Sequence, residues 1–346
     1  MGKFPLTLDG PLLNIPVSIK SASFDYVGRY QLIAEIITRY CAFTGTHPNR
    51  VLDVGGLGSF MEQIISVPVT ILDSEVQETS ETQSIGNGSH MDSIKDGSYD
   101  VVVTSDTLEH IPPQDRRDFI REIIRVSNDL VILCAPFGDH GAAKEEAKIN
   151  ELYKSLTGRK HLWLAEHKQY GLPREEEILS YVPKPIKATV LHHSSLDIWG
   201  HLMAINLIAN EINEPNIHKT IEKINRDYNE GYLFKDFNEA SYRTFIIMSK
   251  KHEVVFTKPS AMVSQDDFIK LDSRVIDFYL EILKNIKLLP VVVNILEDLA
   301  STEQENVKLK SNNGLLLKQY NRVVTSKSWK LTAPARSVVG TMKRRK

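Results

Sequence analysis

The chain has 346 residues, of which 42% are hydrophobic, 8% aromatic and 25% charged, the composition of a globular protein that can bury a sizeable core. Its formal net charge of -2 hides a division, because Asn306 to Lys346 carries 11 Lys and Arg with no acid and leaves 31 basic against 44 acidic residues, a net of -13, before it. No apolar run reaches the ~18–20 residues of a spanning helix, an acidic body argues against a main domain that binds nucleic acid, and Cys41 and Cys134 cannot make a disulfide framework. The start, Met1 to Pro5, lacks the apolar core of a secretory signal, so a reduced, cytoplasmic setting is expected.

Taken in chain order, Tyr30 to Phe43 has helical spacing and is ended by Gly45-Thr46-His47-Pro48. Short apolar runs follow at Val51–Val54, Val67–Leu72, Tyr99–Thr104 and Leu130–Ala135. Between the last two, Arg116 to Val126 places Phe119, Ile120, Ile123, Ile124 and Val126 on one side of a helix. Ile186–Leu191 and Tyr242–Met248 read as two further strands, with helices near His201–Ile212 and Ile217–Tyr228 between them. Strands alternating with helices imply an α/β fold with a mostly parallel sheet covered on both faces. The expected organisation is one domain over 1–255 with a helical insertion about 195–240, a helical connector over 256–305, and a basic tail over 306–346. In the tail region Leu299, Asn306, Asn313 and Tyr320 alternate with Thr302, Leu309, Leu316 and Val323, a weak heptad that reads either as a parallel homodimer or as a single surface helix.

The strongest chemical signal is Arg50-Val51-Leu52-Asp53-Val54-Gly55-Gly56-Leu57-Gly58-Ser59, a buried strand entering a glycine turn where backbone can approach a ligand. Asp73 follows one strand later, where a carboxylate can hold ribose hydroxyls. The dinucleotide fingerprint is incomplete, because Met61 stands where its third glycine would be. Asp53 just before the turn suits a ligand with an ammonium group better than a pyrophosphate.

These residues, with Asp96 to Val103 and Leu108-Glu109-His110, resemble the class I S-adenosylmethionine-dependent methyltransferases that carry a Leu-Glu-His signature after strand four. The likeness covers roughly residues 25–250. It implies a Rossmann-like, seven-stranded, mostly parallel sheet and S-adenosylmethionine as cofactor. It also implies that Asp53, Gly55, Gly56 and Gly58 hold the methionine end, Asp73 the ribose, Asn87 or Gly88 the adenine, and Asp106 the sulfonium side. The usual pattern would put glycines at 55, 57 and 59, so Gly56 and Gly58 are displaced.

Methyl transfer to a hydroxyl requires a base, and His110 at the end of strand four is either that base or the cap of the turn at Ile111-Pro112-Pro113. A second cluster, Phe137, Asp139, His140, Glu145, Glu146 and Tyr153, continues into His161-Leu162-Trp163-Leu164-Ala165-Glu166-His167-Lys168-Gln169-Tyr170. Aromatic faces beside hydrogen-bonding groups suit a sugar ring. On this reading His167 and Glu166 join His110 as catalytic candidates, while His140, Glu146, Tyr153, His161, Trp163 and Tyr170 are substrate-binding candidates. The bland alternative is an amphipathic helix with Trp163 and Leu164 against the core. The spacing of His161, Glu166 and His167 matches no zinc pattern, so no metal is expected.

Ser326 to Arg336 resembles a Ser-x-Ser-Trp-Arg/Lys-Leu-Thr-x-Pro-x-Arg segment of bacterial glycosyltransferases and polysaccharide-assembly proteins. The likeness implies a sugar of a surface polysaccharide, glycolipid or nucleotide-sugar as acceptor, and glycan-assembly partners. The basic tail is either a peripheral contact with the inner face of the plasma membrane or a solvated end; nucleic acid is not an expected partner. Two other readings stand beside this one: a catalytically weak scaffold in glycan assembly, and a methyltransferase for a small lipid or quinone-like acceptor.

Overall fold

The computed structural model describes residues 5–56, 61–76, 80, 82–264, 266, 267, 270, 271, 273–276 and 278. Gly58, the heptad, the Ser326–Arg336 segment and the basic tail lie outside the described residues. The described residues divide into two units. The first holds those up to Ala143 together with Glu166–Trp199 and Asn225–Ser264, and the second holds Lys144–Ala165, Gly200–Ile224 and the described residues beyond 265.

In chain order the strands are β1 (Pro5–Thr7), β2 (Val51–Val54), β3 (Val69–Asp73), β4 (Gln83–Ile85), β5 (Tyr99–Ser105), β6 (Ser127–Pro136), β7 (Lys187–Ser195), β8 (Ser241–Ser249) and β9 (Val255–Thr257). The helices are α1 (Val17–Lys20), α2 (Phe24–Thr44), α3 (Met61–Ile64), α4 (Arg116–Val126), α5 (Ala142–Thr157), α6 (Leu162–Tyr170), α7 (Glu175–Tyr181), α8 (Leu196–Ala209) and α9 (Pro215–Gly231).

The expected seven-stranded, mostly parallel sheet is present, in the order β4-β3-β2-β5-β6-β8-β7. Strands β2 to β6 are parallel to one another, and β8 runs antiparallel to both β6 and β7. All four residues of β2 are buried, as a central strand covered on both faces requires. One face is filled by Phe119, Ile120, Ile123 and Ile124 of α4 and Ile178 of α7, packed on Leu52, Val54, Val102, Val131 and Ile246. Side chains of this size contribute roughly 1.5–3 kcal/mol each when fully buried. From the other direction α2 anchors to the sheet: the Tyr40 hydroxyl donates to Asp129 Oδ2 at 2.6 Å, and Asp129 also accepts from the Ser249 hydroxyl at 3.0 Å.

Several bounds differ from the sequence reading, among them α8, which starts at Leu196 rather than near His201, and β7, which runs on to Ser195. Helix α2 begins at Phe24, six residues before the expected Tyr30, because Phe24, Val27 and Tyr30 continue its buried face. The pair β1–β9 and the short strand β4 were not expected at all; three-residue strands carry too little apolar alternation to be read locally. The second unit is helical, with Leu152, Tyr153, Leu202, Ile205, Ile208, Ile212 and Ile217 among its buried side chains. Among the described residues no helix is long and apolar enough to cross a membrane.

Candidate active site

Every parallel strand of the sheet delivers its carboxyl end to one edge, where α/β proteins bind ligands. At the end of β2, Gly55 has φ +76 and its N–H donates to the Leu72 carbonyl at 2.8 Å. A Cβ at Gly55 would run into the Thr107 side chain, and one at Gly56 into the Asp53 carboxyl group. The turn therefore folds back over a fully buried Asp53, and only glycine fits at both positions. Gly55→Ala should lose about 1–3 kcal/mol of stability from the left-handed backbone and the Thr107 clash, and weaken cofactor binding at least tenfold. Denaturant unfolding and calorimetric titration check both effects.

One strand over, Asp73 ends β3, with Oδ1 accepting from the Glu75 N–H at 2.9 Å and its carboxylate partly exposed at the same edge. The loop after β4 brings Asn87, whose Oδ1 accepts from the Ser89 N–H at 2.8 Å and so shapes a tight turn. Gly88 has a packing reason beside any ligand role, since a Cβ there would collide with Phe119 and Val54.

Asp106 follows β5 with φ +49, held by its N–H donating to the Cys134 carbonyl at 2.8 Å. Its carboxylate accepts from Arg243 Nε at 3.0 Å and from Arg243 Nη2, and pairs with Arg29 Nη1 at 2.5 Å. The other side of Arg243 grips Asp25, Nη1 to Oδ1 at 2.7 Å and Nη2 to Oδ2 at 2.9 Å. Asp25 Oδ1 also accepts from Trp199 Nε1 at 2.9 Å, and the Trp199 ring stacks on Tyr242 at 3.4 Å. Burial alone would raise the Asp106 pKa, but Arg243 and then Arg29 outweigh it and hold the carboxyl well below the usual carboxylate range. Two carboxylates and two guanidiniums balance, so the cluster as a whole carries no net charge. Sequence reasoning missed Asp25, Arg29 and Arg243. The first two lie four residues apart on the helix that was read as starting at Tyr30, so an earlier start would have aligned them on one face.

The Leu-Glu-His turn, Leu108–His110, is a single 3-10 turn. Leu108 enters the core, Glu109 is buried, and His110 turns toward α6. His110 Nδ1 lies 2.7 Å from Glu166 Oε2, and His110 Nε2 lies 3.3 Å from His167 Nε2. The two rings meet edge to face, 4.7 Å apart. Burial, then the neighbouring His167, lowers the His110 pKa below its ordinary value against the opposing pull of Glu166. Beside them Glu109 Oε2 is buried without a hydrogen-bond partner, and its carboxyl is pushed up to about 8 by burial and by Asp106. The expected catalytic trio of His110, Glu166 and His167 is thus brought together. Glu109, His110 and His167 also offer ligating atoms within 4.8 Å of one another.

The six expected substrate-binding residues divide between the units. In the first, His140 joins Glu175 and His192, and Tyr170 is partly exposed at the end of α6. His193, next to His192, is buried and faces the Leu233 carbonyl at 2.8 Å. Within the second unit, Glu146 is buried and the Tyr153 hydroxyl donates to Glu211 Oε1 at 2.5 Å. His161 packs edge-on to Tyr153 at 5.2 Å and to Trp163 at 5.3 Å. Leu164 faces inward as the amphipathic alternative required, while Trp163 is 66% exposed.

A family model described as a methyltransferase domain matches residues 68–133, which span β3 to β6. No curated protein matches the chain. Among solved structures the chain is similar to a protein from Galdieria sulphuraria described as a sarcosine dimethylglycine methyltransferase (12% identity, 70% of this chain and 94% of that one, TM-score 0.40). It is also similar to a SAM-dependent methyltransferase from Archaeoglobus fulgidus (16%, 64% and 94%, 0.35). A third likeness is to the magnesium protoporphyrin IX methyltransferase from Synechocystis PCC 6803 with bound SAH (14%, 70% and 90%, 0.37). The matched segment contains the acid that ends β3 and the Leu-Glu-His turn, and the described part of the glycine turn before it packs so closely on Thr107 and Asp53 that no Cβ fits. Residues 68–133 thus match a methyltransferase domain, and they lie in a seven-stranded, mostly parallel α/β sheet.

Proposed function

We propose that the protein methylates a hydroxyl group of a sugar, in a polysaccharide, glycolipid or nucleotide-sugar acceptor, with the His110–His167 pair as base. S-adenosylmethionine supplies an electrophilic methyl group on a sulfonium. Gly55, Gly56 and Asp53 would hold its methionine end and Asp73 its ribose, while Asn87 lies at the edge for the adenine. The observation that carries the reading is the 2.7 Å contact between His110 Nδ1 and Glu166. A carboxylate there accepts the Nδ1 proton and leaves Nε2 with its lone pair, the tautomer a general base needs. An amine acceptor is its own nucleophile once neutral, whereas a hydroxyl must lose a proton as the new bond forms, so a carboxylate-backed imidazole favours oxygen. The imidazolium that forms is stabilised by Glu166.

The sugar part of the reading rests on the Ser326–Arg336 likeness. The same likeness makes glycan-assembly proteins the partners, at the cytoplasmic face of the membrane.

The test is methyl-labelled S-adenosylmethionine with the full chain and three acceptor pools: nucleotide sugars, polysaccharide or glycolipid, and small quinols. Alkali-stable label on a sugar is the expected result. Label on the quinols alone replaces the sugar with a lipid-like acceptor, and cofactor binding without transfer to any pool leaves the scaffold reading.

A further inference from the structure

A second cluster of titratable side chains lies outside this site. His140 belongs to the turn after β6, Glu175 opens α7, and His192 lies on β7 opposite Thr244 of β8. These segments are far apart in sequence, yet both imidazoles converge on one oxygen. His140 Nε2 is 2.5 Å and His192 Nε2 2.7 Å from Glu175 Oε1, and the two rings are 4.2 Å apart. One ligating atom from each of the three residues falls within 4.8 Å of the others.

Glu175 Oε1 also accepts from the Thr244 hydroxyl at 3.0 Å, and the other ring nitrogen of His192, Nδ1, lies 2.9 Å from Glu239 Oε2. A neutral imidazole has one N–H, but His192 has a carboxylate at each nitrogen. A metal ion on Nε2 would meet the Glu175 carboxylate as well and leave Nδ1–H to donate to Glu239. A carboxylate behind a ligating histidine is the partner that fixes ring orientation in metal sites. Asp139 adds rigidity, because its Oδ2 accepts from the Glu175 N–H at 2.8 Å and so ties the His140 turn to the start of α7. Side-chain exposures of 20%, 20% and 17% for His140, Glu175 and His192 leave room for water to complete a coordination sphere.

We propose that His140 Nε2, His192 Nε2 and the Glu175 carboxylate form a binding site for a divalent transition-metal ion of the zinc class. Two imidazoles and one carboxylate are the donor set such an ion takes, and magnesium or calcium would call for more oxygen ligands. On binding, each Nε2 gives its lone pair to the ion, so any proton either holds there moves to its ring's Nδ1 or to solvent, and His192 Nδ1–H donates to Glu239. The ion would pin the β6 turn, α7 and β7 together at this edge of the sheet, and its binding is independent of the acceptor of methyl transfer.

The experiment uses the full chain without a histidine tag, stripped with chelator, and titrated with Zn²⁺ against a chromophoric chelator. Co²⁺ absorption reports the geometry. One ion should bind per chain with a tetrahedral Co²⁺ spectrum and a raised Tm. The double variant His140→Gln and His192→Gln should lose that ion, with an unchanged far-ultraviolet spectrum. Glu239→Gln, a milder change, should weaken binding roughly 10–100-fold. The pair His110→Gln and His167→Gln should retain the ion. Failure of the wild type to bind, an unchanged affinity in Glu239→Gln, or binding that disappears with His110 and His167 but survives loss of His140 and His192 overturns the proposal.

Discussion

His110→Gln should lower the turnover of methyl transfer by about 10²–10⁴ while leaving the Kd for S-adenosylmethionine within a factor of ~2. Glutamine keeps a hydrogen-bonding end near Glu166 but has no nitrogen that can take up a proton. The cofactor turn at Gly55 and Gly56 comes from a different strand end, so its shape should survive. The pH profile sharpens the test. The neutral imidazole is the working form, so kcat/KM rises as pH climbs through the pKa of the pair and then levels. Burial and His167 lower the His110 pKa, which moves the acid limb below the ordinary histidine range near 6.5. Glu166 pulls the other way, so Glu166→Gln should shift that limb further toward acid and reduce the plateau. A wild-type profile in His110→Gln would remove the base from the proposal.

The second large effect belongs to stability. Arg243→Met should cost roughly 3–5 kcal/mol, because it removes an almost fully buried guanidinium, strands the Asp25 carboxylate and leaves Asp106 with Arg29 alone. Arg243→Lys should recover only part of the loss, since one ammonium cannot fork to two carboxylates at once. Adding Asp25→Asn to Arg243→Met should restore much of the stability, because it removes the stranded charge and leaves Asp106 paired with Arg29. Denaturant midpoints of the variants measure all of this, and a loss under ~1 kcal/mol in Arg243→Met would show that the network is a passive surface feature. The sign with pH follows from Asp106. Its folded pKa lies below the unfolded one, so its contribution is complete above the ordinary carboxylate range and fades only as pH falls through the depressed value. The network should therefore hold in mild acid.

Much of the sheet was readable because its strands are buried on both faces and show as short apolar runs between turns. Val51–Val54 has the same bounds in sequence reading and structure, and Tyr99–Thr104 extends by one residue. Helix α4 also keeps its bounds, Arg116–Val126, because its five apolar residues fall on one side and its charges on the other. The first six residues of α2 were not readable, since Asp25, Tyr26 and Arg29 interrupt the apolar spacing. Those polar residues sit there for the ion network, which has no local signature.

The site divides in the same way. Its chemical types, an acid at the end of β3, glycines after β2 and histidines after β5 and in α6, are written in the chain because each strand end carries its own ligand-facing residue. The partnerships are not. Glu166 meets His110 across 56 residues, Arg243 meets Asp25 across 218, and His140 meets Glu175 across 35. Hydrophobic periodicity sets which segments become strands and helices, one residue type at a time, and so it determined the fold and the cofactor edge. Which carboxylate backs which imidazole, and that Asp106 is held by two arginines, depends on side chains that approach only after the sheet has closed and its helices have packed. Those contacts are set by three-dimensional geometry over a few ångströms, and only the tertiary structure decided them.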